Sequence, residues 1–281
     1  MLAEWIFDYN RRSRADELGN NVKAFLKQHR LVAFFVLAFA LSWYPWVLAV
    51  LRGRTSGPNP LGPLVAGIVM TAIVFGRPGL REYFSRLVRW RVGGQWYAVA
   101  LIIPVLLCLV AVAIAFCFVP RSQISALSME KLRELPDRFL FILLFIGLGE
   151  EPGWRGFALP QLQTKHSPLI ASVILAPLWV IWHLPLIGNE FPWPIVAPFV
   201  VSVFGATFVL TWVFNGTKGS VLLPMLTHAT VNTVGSGLMF PLFSGAALIV
   251  LWWIYSLIWL CAGLAALLFW ADKNVETIAA R

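Results

Sequence analysis

Charge is scarce in this chain: only 12% of its 281 residues are Asp, Glu, Lys or Arg, about half the roughly 25% of a soluble globular protein. So few charged side chains cannot cover the surface of a soluble domain this long. A soluble enzyme, a disordered chain and a nucleic-acid-binding domain are therefore excluded. Cysteine is nearly absent too, with three residues and no disulfide framework. Cys108 and Cys117 stand nine residues apart in one apolar run, roughly 13 Å along a helix and too far to bridge. With Cys261 they read as small core hydrophobes.

Apolar residues fill the space that charge leaves. They make up 59% of the chain, with 14 Trp and 21 Phe, which fits an all-α, polytopic membrane protein better than any soluble class. About eight transmembrane helices are expected, at residues 31–51, 61–75, 96–119, 139–157, 168–187, 195–214, 221–238 and 246–270. Leu80 to Trp90 alternates apolar and basic residues at helical spacing and reads as a short interfacial amphipathic helix. The outer polar stretch 122–137 reads as a small separate helix. The domains follow: a cytoplasmic tail over 1–30, helices 1–3 with the amphipathic helix over 31–138, a core over 139–238, and a last helix and tail over 239–281.

The net charge of +9 is an orientation signal and no sign of a nucleic-acid partner; membrane lipids are the cheaper partner for these bases. With the N-terminus inside, sixteen Lys and Arg fall on the cytoplasmic side and six outside: Arg52, Arg54, Arg121, Lys131, Arg133 and Arg138. A multi-pass protein of the plasma membrane with both termini cytoplasmic is expected.

Between residues 139 and 271 the acidic residues are Glu150, Glu151 and Glu190. Glu190 sits in a Gly-Asn-Glu loop, but Glu150 and Glu151 lie within an apolar segment, where an ionisable group costs about 2.5–3.5 kcal/mol on insertion scales. His183 and His228 also lie in apolar runs, whereas His29 and His166 have polar surroundings and read as solvated. Glu151 and Arg155 are four apart and share a helix face. Pro152 and Gly153 between them should bend the helix and open a polar pocket. His228 and Asn232 share a face in the same way, while Glu150 has no local partner. His183 falls nearer the outer end of its helix than the others, which a tilted or shifted helix would have to resolve. Each residue also has a bland role: helix-to-helix bonding for either histidine and Asn232, a structural ion pair for Glu151 and Arg155, packing for Ser236.

Three motifs carry a resemblance: Glu150-Glu151-Pro-Gly-Trp-Arg155, then Trp179-Val-Ile-Trp-His183, then His228-Ala-Thr-Val-Asn232. Their order and spacing resemble the CPBP family of intramembrane proteases, which unites CAAX prenyl protease 2 with bacteriocin-processing proteins. Trp179 stands where that family usually has Phe. The resemblance covers about residues 139–236. It implies a peptidase acting on a membrane-associated peptide or protein, of prenylated CAAX or bacteriocin-like type, in a cavity open to the cytoplasm. It also implies that Glu150 and His183 activate water, that His228 and Asn232 stabilise the oxyanion, and that Glu151 and Arg155 shape the site. The family is commonly labelled metalloprotease, which makes Glu150, His183 and His228 candidate zinc ligands. The HExxH spacing is absent, and a metal-free glutamate mechanism is preferred. Rhomboid-type Gly-x-Ser-Gly is missing, and Asp8, Asp16, Asp137 and Asp272 all lie outside the apolar segments. Two other classes fit the same residues: a transporter or proton relay, and a non-catalytic immunity or scaffold protein.

Overall fold

The computed structural model describes residues 20–279, with side chains to residue 269. The expected tails over 1–30 and at the C-terminus therefore lie partly outside the described residues. The architecture is helical, and the described residues form no strand beyond two isolated bridges. In hydrocarbon the backbone finds no water, so each apolar run satisfies its amides within itself by coiling.

Five helices are long and apolar enough to cross a bilayer: α1 (Arg30–Leu51), α2 (Gly62–Leu87), the α3–α4 pair (Gly94–Leu101 and Ile103–Phe116), α9 (Trp193–Gly216) and α11 (Gly245–Ala279). The chain is an all-α, polytopic membrane protein. α1 buries Phe34, Ala38 and Ser42, one residue per turn, and presents Val32, Val36 and Val47 outward. This is a one-stripe pattern suited to lipid on the other faces. α9 lies deepest of the five.

The other three expected segments are helical but shorter or broken. α5 (Met129–Phe141) runs through a π-helical turn (Ile142–Gly147), α6 (Leu148–Glu151), a second π turn (Pro152–Ala158) and α7 (Leu159–Gln163). α8 (Pro168–Trp182) is 15 residues long, about 22 Å against a hydrocarbon core of about 30 Å. α10 (Leu222–Val234) ends in a π turn (Gly235–Met239).

The amphipathic segment is a short helix of its own, set off from the apolar part of α2 by a non-helical kink at Gly76, whose φ of 66° suits a residue without Cβ. Hydrogen bonds from Ser220 Oγ to the Arg89 carbonyl (2.8 Å) and from the Val221 amide to the Arg86 carbonyl (2.9 Å) tie it to the α9–α10 connection. Two local expectations need correction. The outer polar stretch is no free-standing helix. Ser128 caps its N-terminus, and it then runs unbroken into the next apolar segment. Of the cysteines only Cys108 is buried; Cys117 and Cys261 are exposed, because both face outward on lipid-facing helices.

The α1–α2 connection positions the site. Instead of arching over the bundle it folds back along α1, and the Asn59 amide donates to the Ser42 carbonyl, 2.8 Å, mid-helix. This sets Pro60 and Pro63 against the broken helix. A Cβ on Gly153 would stand 2.6 Å from the Pro63 carbonyl carbon, so only glycine permits this approach.

Candidate active site

The two π turns flank Glu150 and Glu151. Pro152 has no amide to donate, and the helix widens by one residue per turn from that point, the kind of bulge that recurs at functional sites. The expected bend at Pro152 and Gly153 thus takes the form of a π turn. Beside it lies a cavity of about 640 Å³ lined by Glu150, Trp179, His183, His228 and Asn232 among others. Its remaining wall is largely aromatic, with Phe199, Phe240, Trp252 and Tyr255.

Glu150 does have partners. Its Oε2 accepts from the indole N–H of Trp154 at 3.3 Å and of Trp179 at 2.8 Å. Oε1 has no protein partner among the described residues and is the oxygen left for a bound molecule in the cavity. Two fixed donors on one oxygen hold the carboxylate in a single orientation.

Glu151 is fully buried and serves two cations or donors at once. Its Oε1 accepts from Arg155 Nη1 at 3.0 Å and from His228 Nδ1 at 2.8 Å. Arg155 is also fully buried, and its guanidinium carbon lies 4.3 Å from the Trp179 ring centre, a cation–π contact. Trp179 therefore joins both carboxylates: its N–H meets Glu150 and its face covers the cation that pairs with Glu151.

His183 is the C-cap of α8, where the helix turns into a 3₁₀ segment (Leu184–Leu186). α8 is short, Trp43 caps its end by donating to the Trp182 carbonyl at 3.0 Å, and His183 lines the cavity. Its Nδ1 lies 2.7 Å from the Trp179 carbonyl. A carbonyl only accepts, so Nδ1 carries the proton and Nε2 of the neutral ring presents a lone pair. Asn232, one turn beyond His228, lines the cavity with a side-chain amide that has no hydrogen-bond partner among the described residues. Ser236 donates to the Asn232 carbonyl at 2.7 Å. His29 and His166 are exposed.

All six expected residues thus converge, but not as a metal site. Among the described residues no three His, Cys, Asp or Glu side chains form a group able to hold a metal ion. The Trp179 indole has its ring centre 5.7 Å from both imidazoles, and Glu150 Oε2 is already taken by two N–H donors. Glu150, His183 and His228 as arranged do not fit zinc. Trp154 is the residue that sequence reasoning missed, and Trp179 had only a place in the second motif, without its bond to Glu150. The signal was available for Trp154, four residues after Glu150 and so on its helix face.

The broken helix, α8 and α10 are also the part of the chain with known relatives. Residues 134–234 match the family described as Type II CAAX prenyl endopeptidase Rce1-like. Over 102 residues the chain is 31% identical to the CAAX prenyl protease 2 of Methanococcus maripaludis, an alignment covering 33% of this chain and 38% of that protein. The chain thus spans well under two thirds of the relative's length. The matched segment holds Glu150, Glu151, Arg155, His183, His228 and Asn232, and it is over this segment that the chain is similar to CAAX prenyl protease 2-like proteins.

Proposed function

We propose that this protein is an intramembrane endopeptidase that hydrolyses a peptide bond of a membrane-associated peptide or protein with water activated by Glu150 and His183. One observation carries the reading. The fixed carboxylate of Glu150 and the imidazole of His183 line the same cavity, together with His228 and Asn232. A water between them donates to two acceptors, Glu150 Oε1 and His183 Nε2, which leaves a lone pair free to be aimed at a scissile carbonyl carbon. As the C–O bond forms, Glu150 takes the water proton and later delivers it to the departing amine. The tetrahedral oxyanion meets the Asn232 amide N–H, and also His228 Nε2 when that ring is an imidazolium balanced by Glu151. Glu151 and Arg155 act as positioning residues by fixing the His228 ring. The aromatic wall suits an apolar substrate segment, of which a prenylated CAAX tail and a bacteriocin-like precursor are two forms. We further propose a plasma-membrane location with both termini cytoplasmic, from the distribution of Lys and Arg.

The test is cleavage of membrane-embedded peptides by the purified chain in proteoliposomes, with and without a chelator, for the wild type and Glu150→Gln. Cleavage that survives chelation and is lost in the variant supports the reading. Solute or proton flux without any cleavage would favour the transporter class, and a cellular role that tolerates Glu150→Gln would favour the scaffold.

A further inference from the structure

We propose that the segment after the Gly76 kink docks on anionic phospholipid headgroups, and that Tyr83 passes this docking to the catalytic turn, so that cleavage depends on anionic lipid. The word cleavage rests on the peptidase reading; the docking does not. The helical stretch over 77–87 has three faces. Phe84, with Val88 just beyond the helix, is an exposed apolar face. Glu82 and Ser85 form a polar face. Tyr83 points away from both and is only 3% exposed. At 3.6 residues per turn the exposed Arg77 and Arg81 fall between the apolar and polar faces. That boundary is where basic side chains of an interfacial helix meet headgroups. The stretch directly follows the apolar part of α2, which sets it at headgroup depth.

Arg77, Pro78, Arg81, Glu82 and Ser85 line a surface recess of about 540 Å³. The one carboxylate in it is already matched. Glu82 Oε1 accepts from Arg86 Nε at 3.0 Å and from Arg89 Nη2 at 3.1 Å, and its Oε2 accepts from Ser85 Oγ at 3.2 Å. Among the described residues no carboxylate pairs with Arg77 or Arg81. These two guanidiniums are therefore the uncompensated charge of the recess. A phospholipid is the complementary occupant: its phosphate oxygens accept from the guanidinium forks, and its acyl chains cover Phe84 and Val88.

Tyr83 reaches the other way, into a point where three elements meet. A Cβ on Gly67 of α2 would stand 2.5 Å from the Tyr83 hydroxyl oxygen. A Cβ on Gly156 would stand 3.2 Å from Tyr83 Cε2 and 3.6 Å from Val221 Cγ2. Gly156 follows Arg155 in the second π turn, and Val221 leads into α10, which carries His228 and Asn232. The Tyr83 hydroxyl has no hydrogen-bond partner among the described residues, so the ring acts by its shape. The Val221 amide donates to the Arg86 carbonyl at 2.9 Å, and Arg89 Nη1 donates to the Lys218 carbonyl. The segment thus holds the π turn on one side and the start of α10 on the other. Tyr83 is a positioning residue: it sets the spacing that the 2.8 Å hydrogen bond between Glu151 and His228 spans. A segment that leaves the membrane surface withdraws this wedge.

The test compares the full chain in vesicles of phosphatidylcholine alone and with added phosphatidylglycerol. Docking is read without catalysis: the exposed Cys117 and Cys261 are replaced by Ala, and a nitroxide is attached at Val88→Cys. Phosphatidylglycerol should shield the nitroxide from a water-soluble relaxant, and in the unlabelled protein should raise kcat at unchanged KM. Arg77→Gln with Arg81→Gln, about thirtyfold weaker for the headgroup at about 1 kcal/mol per charge, should lose both responses while keeping its heat resistance. Tyr83→Ala should keep the shielding but lose about 10²-fold in kcat, and Tyr83→Phe should restore it; where the alanine variant fails to fold, Tyr83→Leu takes its place. Equal cleavage in the two lipids, a double variant with the wild-type responses, or a folded Tyr83 variant lacking the ring with wild-type kcat overturns the proposal. Inorganic phosphate added to phosphatidylcholine vesicles should leave the nitroxide unchanged; shielding by it would assign the recess to a soluble anion and overturn the lipid. Shielding by phosphatidylglycerol with no cleavage in either lipid supports the docking and counts against the peptidase reading instead.

Discussion

The adjacent glutamates should fail in opposite ways. Glu150→Gln is isosteric, and its amide oxygen still accepts from Trp154 and Trp179, so the fold should hold. What is lost is the proton acceptor, and cleavage should fall by about 10²–10⁴-fold. Glu151→Gln leaves the fully buried Arg155 without its counter-charge. At 3.0 Å the pair attracts by about 5 kcal/mol for an effective dielectric of about 20, and orphaning one partner of a buried pair typically costs about 3–5 kcal/mol. Glu151→Gln should therefore unfold at markedly lower temperature in detergent. Adding Arg155→Met should return part of that stability by removing the orphan cation, without restoring cleavage, because His228 still lacks its partner. The readouts are monodispersity after a heating series and peptide cleavage on the same preparations. The reasoning is refuted if Glu151→Gln is as heat-resistant as the wild type, or if Glu150→Gln keeps wild-type cleavage.

Trp179→Phe keeps a ring over Arg155 but removes the shorter of the two N–H donors to Glu150; a hydrogen bond to a charged group is worth about 1.5–3 kcal/mol. With Trp154 still donating, kcat should drop about tenfold at the low end of that range, with heat resistance unchanged. Asn232→Ala removes an oxyanion donor, and kcat should fall about 10²–10³-fold while KM moves little; an equal rise in KM would place Asn232 in ground-state binding instead. Gly153→Ala sets a Cβ 2.6 Å from the Pro63 carbonyl carbon, an overpacking that costs about 1–3 kcal/mol, read as a lower unfolding temperature. Gly76→Ala places a residue with Cβ at φ 66°, ψ -156°, a region essentially reserved for glycine, at a strain of about 1–3 kcal/mol, and should loosen the segment after the kink to proteolysis.

The apolar segments were legible because each is a long run with one period, and 31–51 or 246–270 needs nothing beyond composition to coil. The Glu151–Arg155 pair was equally legible, since four-residue spacing is local. Two kinds of information were not. The partners of Glu150 come from Trp154 and from Trp179 on another helix, and an indole N–H bond is invisible in a hydropathy pattern that scores tryptophan as apolar. The depth of His183 depends on where α8 stops. Residues 168–187 read as one span of standard length, whereas the helix ends at Trp182 under the cap from Trp43, a contact 139 residues away.

The helices that fail the length-and-hydropathy criterion for crossing a bilayer are those that hold the chemistry. A membrane tolerates a π turn, a short helix or a buried Glu–Arg pair only where protein shields it from lipid. Here that shield is built by α2, α9 and α11 together with the Pro-rich connection folded along α1. Residues far outside the matched segment, from Pro58 to Tyr255, thus help wall the cavity. The segment 134–234 carries the polar groups, but the rest of the bundle holds them in a fixed setting shielded from lipid. Substitutions that disturb packing at Pro63 or Ser42 should therefore impair cleavage without touching any polar group of the site.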